Sequence, residues 1–375
     1  MKLKFKSVFA IIILLFFGAT LNAQISKEAS FKVDKGDVLE ASLSQGNINI
    51  STNSGSEVKV TAKNIQSDEV KLLTMDQKSG KIEIKFEGDD SDEFELDMSI
   101  PSTLNLDLSS GGGNISVKGN IDGKVDVSTG GGNITLQKIN GTADLSTGGG
   151  TITTGDINGN ADLSTGGGEI KAGTINGTAD LSTGGGNIYV ESISNAADVS
   201  TAGGNIFVKN IGGSADLSTG GGNIQISEIS GSADVSTGGG NISLESASGK
   251  VEVSSGAGNV ELKNIKGSID ASTGSGTITS YLQPDGKNNS ELSTGMGSII
   301  LYVPGNAKAT IVATIPSQMW GSDKDELKNI KSDFEPTTID RKGEPRHIKV
   351  TYVLNGGGSK IELSTGMGKI EIRKK

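Results

Sequence analysis

The chain has 375 residues, a net charge of −10 at pH 7, 56 glycines and no cysteine. The lack of cysteine excludes disulfides, thiolate metal sites and a lipid-bearing cysteine. The acidic balance disfavours binding to nucleic acid and direct adsorption to anionic lipid, because both need a basic face.

The N-terminus has the pattern of a secretory signal peptide. Lysines at positions 2, 4 and 6 precede an apolar run from Val8 to Ala19, and Ala23 before Gln24 offers a small residue for cleavage. The run is short for a membrane span, which favours a removable peptide over the alternative of an uncleaved anchor. We therefore predict that residues 1–23 are a signal peptide and that the protein is exported, to the periplasm or the cell surface.

Residues 24–105 contain strands without a regular repeat. Apolar and polar residues alternate over 57–61, 81–86 and 93–98, and this period of two is typical of strands with one buried face. The end coil of a repeat array needs a cap, since it otherwise exposes core and unpaired backbone. We predict that this region is an N-terminal β-strand cap.

Residues 106–280 repeat a phrase close to Ala-Asp-Leu-Ser-Thr-Gly-Gly-Gly-Asn-Ile every 18 residues. A strict period of this length is the signature of a solenoid. We predict an all-β parallel β-solenoid, similar to a β-helix or β-roll, with two short strands per coil and irregular β caps at both ends. The first glycine of the phrase falls at Gly130, Gly148, Gly166, Gly184, Gly220, Gly238, Gly256 and Gly274, and Ala202 takes its place once.

Residues 281–375 return to the phrase twice, at 292–299 and at 363–370. Between these copies lies an irregular stretch with the single tryptophan, Trp320, and the single histidine, His347. We predict a C-terminal solenoid cap with a looped-out insertion, in which residues 324–332 form either a short helix or a loop.

An acidic residue follows the first position of each copy and forms an outward column, with a serine column two residues further on. Carboxylates on adjacent strands, about 4.8 Å apart, repel by about 1 kcal/mol in water before screening. One hypothesis is a cation ladder, with calcium favoured by oxygen ligands; the other is a solvated face with local hydrogen bonds. One carboxylate per coil supplies few calcium ligands, which favours the solvated face. The candidate ladder is Asp126, Asp144, Asp162, Asp180, Asp198, Asp216 and Asp234.

Three other columns carry candidate functions. The asparagines that follow the glycines, such as Asn205 and Asn223, predict an amide ladder, with sugar binding as the alternative. The threonines before the glycines, such as Thr147, predict turn capping, with a flat ice-binding array as the alternative. Tyr189 and Phe207 occupy adjacent copies of one variable column, where contact with a partner is one interpretation and stacking on each other is favoured.

The Leu-Ser-Thr-Gly-x-Gly-x-Ile phrase, the Ile100-Pro101 entry and the closing copy at 361–368 resemble the bacterial toast-rack family. The domain that defines this β-strand repeat family has no known function, although the family is labelled as adhesins. The resemblance spans about residues 33 to 372. It implies an exported or envelope-associated all-β repeat protein. The signal ending at Ala23 resembles those of Bacteroidetes, which implies a Gram-negative envelope.

We expect a non-enzymatic protein, because a chain without cysteine and with a lone histidine offers no nucleophile–base pair, and short coils offer no deep cleft. The main hypothesis is an adhesin or envelope scaffold whose extended β faces contact a protein or glycan, with no catalytic residue, no cofactor and no transmembrane segment after cleavage. One alternative is an envelope-stress or signalling accessory that binds a membrane partner through a cap. A remote alternative is a glycan-active enzyme.

Overall fold

A computed structural model describes residues 25–88, 94–316, 327–341 and 347–375. The predicted signal peptide at residues 1–23 and Trp320 lie outside the described residues. The described chain is nearly all β, with two 3₁₀ helices, η1 (Val70–Leu72) and η2 (Leu327–Asn329), as the helices found in it. The prediction of an all-β parallel solenoid is therefore confirmed.

The chain divides into two compact units, which are described separately. The described part of unit 1 is 25–88, 94–177 and 181–184, and that of unit 2 is 178–180, 185–316, 327–341 and 347–375. The predicted boundaries after residues 105 and 280 stay predictions. The strands up to residue 183 are β1 (Ile25–Lys32), β2 (Val38–Leu43), β3 (Asn47–Asn53), β4 (Glu57–Ile65), β5 (Leu73–Lys78), β6 (Lys81–Phe86), β7 (Glu95–Pro101), β8 (Asn105–Ser110), β9 (Ile115–Lys118), β10 (Val125–Thr129), β11 (Ile134–Leu136), β12 (Ala143–Thr147), β13 (Ile152–Thr154), β14 (Ala161–Thr165), β15 (Ile170–Ile175) and β16 (Ala179–Thr183).

Each regular coil of unit 1 contributes one strand to each of two parallel sheets. The first sheet contains β8, β10, β12 and β14, and the second contains β9, β11, β13 and β15. Ala143 pairs with Ala161 and Ile134 pairs with Ile152, so like residues stack at the interval of one repeat. Each coil alone exposes its apolar side chains, and the neighbouring coils bury them.

The N-terminal cap of unit 1 is built out of chain order. Strand β2 lies between β6 and β8, and β3 lies between β7 and β9, all in parallel. The coil formed by β6 and β7 is therefore stacked outside the coil that precedes it in sequence. Antiparallel strands then finish both sheets: β5 pairs with β6, β4 with β7, and β1 with β4.

Unit 2 continues with the same two-strand coil and ends in a mixed cap. Its strands are β17 (Ile188–Ile193), β18 (Ala197–Thr201), β19 (Ile206–Ile211), β20 (Ala215–Thr219), β21 (Ile224–Ile229), β22 (Ala233–Thr237), β23 (Ile242–Ala247), β24 (Val251–Ser255), β25 (Val260–Gly267), β26 (Ile269–Ser275), β27 (Ile278–Pro284), β28 (Ser290–Met296), β29 (Ile299–Val303), β30 (Ala309–Pro316), β31 (Ile330–Ser332), β32 (Thr338–Asp340), β33 (His347–Leu354), β34 (Ser359–Met367) and β35 (Ile370–Lys374).

The C-terminal cap contains two coils in register, separated by an excursion in sequence. Strand β28 pairs with β34 and β29 pairs with β35, although about 70 residues lie between them. Strand β30 joins β34 in parallel, and β33 and β32 follow in antiparallel order. Part of the stretch predicted as a helix or loop is η2, and β31 after it pairs with β35. This arrangement places the repeat copies at 292–299 and 363–370 side by side.

The interior is apolar except for the threonine column and a few other buried polar side chains, such as Thr154 and Ser280. Leu145, Ile152 and Ile157 are fully buried, and Thr147 is buried on the same side of its strand. The Thr147 hydroxyl donates to the carbonyl of Gly132 at 2.8 Å and accepts from the N–H of Gly150 at 3.2 Å. The threonines therefore cap the corners from inside, as predicted, and their burial rules out an exposed ice-binding array.

Within the described part of the chain, no helix has both the length and the apolar character that a membrane crossing requires.

Candidate interaction surfaces

The acidic column of unit 1 lies on the outward side of the first sheet. Asp126 pairs in register with Asp144, and Asp144 with Asp162; the last two are exposed and Asp126 is half-buried. The column also extends into the cap, where the sequence repeat had not indicated it. In this unit it runs through Asp76, Glu83, Glu40, Asp107, Asp126, Asp144 and Asp162.

The acidic column of unit 2 has the same geometry. Asp198, Asp216 and Asp234 are exposed and occupy consecutive strands, and Asp180 is exposed on β16. The column again continues into the cap. In this unit the residues Asp198, Asp216, Asp234, Glu252, Asp270, Glu291 and Glu362 pair in register along the column. In unit 2 the even-numbered strands from β18 to β28 form the first sheet, and the odd-numbered strands from β17 to β29 form the second. We call the outward side of the first sheet in each unit, which carries these residues, the acidic face.

Lysines neutralise only part of the acidic face. The ion pairs are Lys78–Glu83, Lys85–Glu83, Lys81–Glu40, Lys124–Asp126, Lys250–Glu252 and Lys360–Glu362. Asp144, Asp198 and Asp216 form no ion pair with a described residue. Burial, and then the charges of Asp198 and Asp234, raise the pKa of Asp216 above its usual range. Around Asp216 the acidic face is thus a run of carboxylates, because the charges that act on its side chain are those of Asp198 and Asp234.

The described residues contain no group of three or more histidine, aspartate or glutamate side chains placed to hold one metal ion. The register explains this, because each coil contributes one carboxylate and the next is one strand away. The serines beside the column, such as Ser218, are half-buried and stack in the same way. The acidic face therefore resembles a linear array of single carboxylates. The candidate cation ladder stays a prediction.

The asparagines after the glycine corner form the predicted amide ladder. The Asn205 side-chain oxygen accepts from the backbone N–H of Asn223 at 2.8 Å and from its side-chain amide at 3.2 Å. The same pair of bonds joins Asn241 to Asn223. These amides hold successive coils together.

A second amide ladder lies at another corner of unit 1, and the sequence analysis missed it. The side-chain amide of Asn140 donates to Asp122, that of Asn158 donates to Asn140, and that of Asn176 donates to Asn158, at 2.5 to 2.6 Å. These donors also fix the carboxylate at the end of the ladder. The hydrogen bond from Asn140, and then the one from Ser102, lower the pKa of Asp122.

Tyr189 and Phe207 stack on each other, with ring centroids 5.0 Å apart and planes within 3°. They lie on the outward side of the second sheet and both are half-buried. A second stack, of Tyr281 on Tyr302, has centroids 4.3 Å apart, and the Lys375 ammonium lies over the Tyr281 ring. In each stack the two rings cover one face of each other.

His347 begins β33 and lies opposite Pro316 in the C-terminal cap. It is half-buried, and it stands on a different strand from those that form the acidic face. The structure thus brings the candidate residues together as columns within each unit, and the histidine belongs to none of them.

No protein-family model matches the chain, and no curated protein matches it in sequence. Solved structures do match it. A "putative adhesin" from Bacteroides fragilis is 16% identical, covers 75% of this chain and 98% of its own, and gives a TM-score of 0.25. A "putative adhesin" from Parabacteroides merdae is 14% identical, covers 72% and 95%, and gives 0.29.

A third match carries a different name. A "Putative lipid binding protein" from Parabacteroides distasonis is 13% identical, covers 74% of this chain and 96% of its own, and gives a TM-score of 0.23. The adhesin names agree with the family that the repeat phrase resembles. At these identities and TM-scores the similarity assigns no function.

Proposed function

We propose that the chain is a non-enzymatic exported binding protein, an adhesin or envelope scaffold, that contacts its partner through the acidic face. The observation that carries this proposal is the register of the exposed carboxylates. Asp198, Asp216 and Asp234 present the same group, on the same side, at one-strand intervals. A partner with a repeated complementary group can therefore engage several coils at once.

Two physical arguments support contact through this face. Repeated weak contacts on one rigid support add as avidity, because each later contact forms at high effective concentration. Uncompensated carboxylates also attract a partner that carries positive charge and raise its association rate at low salt. The partner is a protein or glycan of the envelope or the extracellular space.

Removal of whole coils tests the multivalent part of the proposal. Deletion of residues 143–160, or of 143–178, removes one or two repeats and rejoins the chain in register. Adherence of protein-coated beads to envelope or host surfaces should fall in steps with each repeat removed. Loss of adherence on deletion of the cap excursion 304–358, with no effect of coil deletion, would instead favour an accessory that binds through its cap.

Charge substitution tests the face itself. The triple variant Asp198→Asn, Asp216→Asn and Asp234→Asn should weaken binding and reduce its salt dependence. The matched control replaces the neighbouring Ser200, Ser218 and Ser236 by alanine, which removes polar groups from the same strands and leaves the charge unchanged. Equal binding by both variants would contradict the proposal.

Three further measurements separate the remaining interpretations. Melting in millimolar calcium and in chelator tests the cation ladder, because a ligand bound to the native state raises the melting temperature. Proteolysis of intact cells distinguishes a surface location from the periplasm. Hydrolysis of an envelope polysaccharide by the purified protein would overturn the non-enzymatic assignment.

A further inference from the structure

Three asparagines in unit 1 are each followed by glycine, and all lie in the second amide ladder. They are Asn140, Asn158 and Asn176. Asparagine followed by glycine is the dipeptide most prone to deamidation, because glycine leaves its own backbone nitrogen sterically open. All three asparagines are exposed, so water can reach them.

The close approach of successive coils favours glycine after Asn140 and Asn158. A Cβ at Gly141 would overlap the carbonyl of Gly123, and one at Gly159 would overlap the carbonyl of Gly141. Neither glycine has a left-handed φ, so the reason is the close approach of successive coils. Replacement of Gly141 or Gly159 by another residue would therefore force the backbone of the adjacent coil to shift.

The ladder has a direction, which explains its residue types. Asn140 and Asn158 each donate their amide to the residue one repeat earlier and accept from the residue one repeat later, and Asn176 donates to Asn158. An ionised carboxylate accepts but does not donate. An acid is therefore compatible only with the first position, and Asp122 occupies that position.

We propose that Asn140 and Asn158 are latent deamidation sites and that the amide ladder anchored on Asp122 suppresses the reaction. In the reaction, the Gly141 nitrogen bonds to Cγ of Asn140 and the Cγ–Nδ2 bond breaks. Ammonia leaves with the proton of the Gly141 amide, and water then opens the cyclic imide to aspartate or isoaspartate. Cγ must swing towards the backbone for this attack, so both hydrogen bonds of the ladder must break first.

Backbone contacts add to the restraint. The N–H of Asn140 donates to Ile121 and that of Asn158 donates to Ile139, both at 2.7 Å. The product is also poorly accommodated. An aspartate at 140 would face Asp122 with no proton donor between the two carboxylates, so the ladder opposes the product as well as the path to it.

Peptide mapping by mass spectrometry tests the proposal on the full chain. The protein is incubated at mildly alkaline pH, folded or in urea, and acid formation is scored at each asparagine. We expect deamidation at Asn140 and Asn158 to be at least about tenfold slower in the folded protein, because reaction requires local opening. Equal rates in the folded and unfolded chain would overturn the proposal without any variant.

A pair of substitutions tests the anchor. Asp122→Ala removes the acceptor for Asn140 and should accelerate deamidation there more than at Asn158. Asp122→Asn keeps an acceptor oxygen and should leave the rate at Asn140 low. An unchanged rate in a folded Asp122→Ala protein, checked by circular dichroism, would refute the anchor. Equal acceleration at all three asparagines would indicate general unfolding and would also count against it.

Discussion

Two buried threonines of unit 1 allow a prediction about hydrogen bonding to be worked out from matched sites. Thr147 and Thr154 are both 6% exposed and lie on successive strands, β12 and β13. The Thr147 hydroxyl bonds to Gly132 and Gly150, whereas the Thr154 hydroxyl has no hydrogen-bond partner among the described residues. Valine has nearly the shape of threonine, so Thr→Val at each site changes the hydrogen bonding and little else.

The expected effects have opposite signs. Thr147→Val leaves the Gly132 carbonyl without its hydroxyl donor and the Gly150 N–H without its acceptor. A buried polar group left unpaired costs about 1–3 kcal/mol, and the bond to Gly150 is long at 3.2 Å, so we expect a loss of about 2–4 kcal/mol. Thr154→Val removes a hydroxyl that is buried and unpaired, so we expect a gain of about 1 kcal/mol.

Urea unfolding of the full chain, followed by circular dichroism, measures both effects. The midpoint should fall for Thr147→Val and rise for Thr154→Val, while the slope of the transition stays near that of the parent protein. A double variant should show near-additive changes if the two sites act independently. Equal losses at both sites would show that the hydroxyls matter by packing alone and would refute the hydrogen-bond reasoning.

Three further predictions concern the corner and the two titrating carboxylates. Gly150→Ala should destabilise the protein by about 3 kcal/mol or more in urea unfolding, because the new Cβ would overlap the Gly132 carbonyl. Gly149→Ala is the control: the position has open space around it, so stability should change by less than about 1 kcal/mol. Asp216→Asn should raise the melting temperature at neutral pH. The gain in the free energy of unfolding should be less than about 1 kcal/mol, because solvent screens the charges. This gain should vanish in acid, because the raised pKa of Asp216 costs stability only as the pH rises through the window above the usual aspartate range. Asp122 has a lowered pKa, so its contribution is present above the usual range and lost as the pH falls; Asp122→Asn should reduce this loss in acid melting curves.

The regular coils could be predicted because period and parity together determine them. An 18-residue repeat fixes which residues stack, and alternation fixes which of them point inward. The same parity places Thr147 on the inward side with Ala143 and Leu145. The Asn140 ladder was equally predictable, because Asn-Gly pairs recur at the same interval in the sequence. The prediction of an amide ladder used only the asparagines that follow the glycine triplet.

The caps could not be predicted in the same way. Strand β2 pairs with β6 and β8, which are separated from it and from each other by irregular connections. No period marks such pairings, since the chain leaves the stack and returns to it. The extension of the acidic face to Glu40 in unit 1 depends on this order, so the repeat alone could not show it.

A comparison of two outward columns within the chain bears on the acidic face. On the second sheet, one outward column changes freely along the repeats, from Thr153 to Lys171 in unit 1 and from Tyr189 to Phe207 in unit 2. On the first sheet, the outward position stays acidic in coil after coil. Both positions are outside the core, so packing does not account for the difference, and repulsion between neighbouring carboxylates disfavours the repetition. This difference supports the proposal that the acidic face contacts a partner.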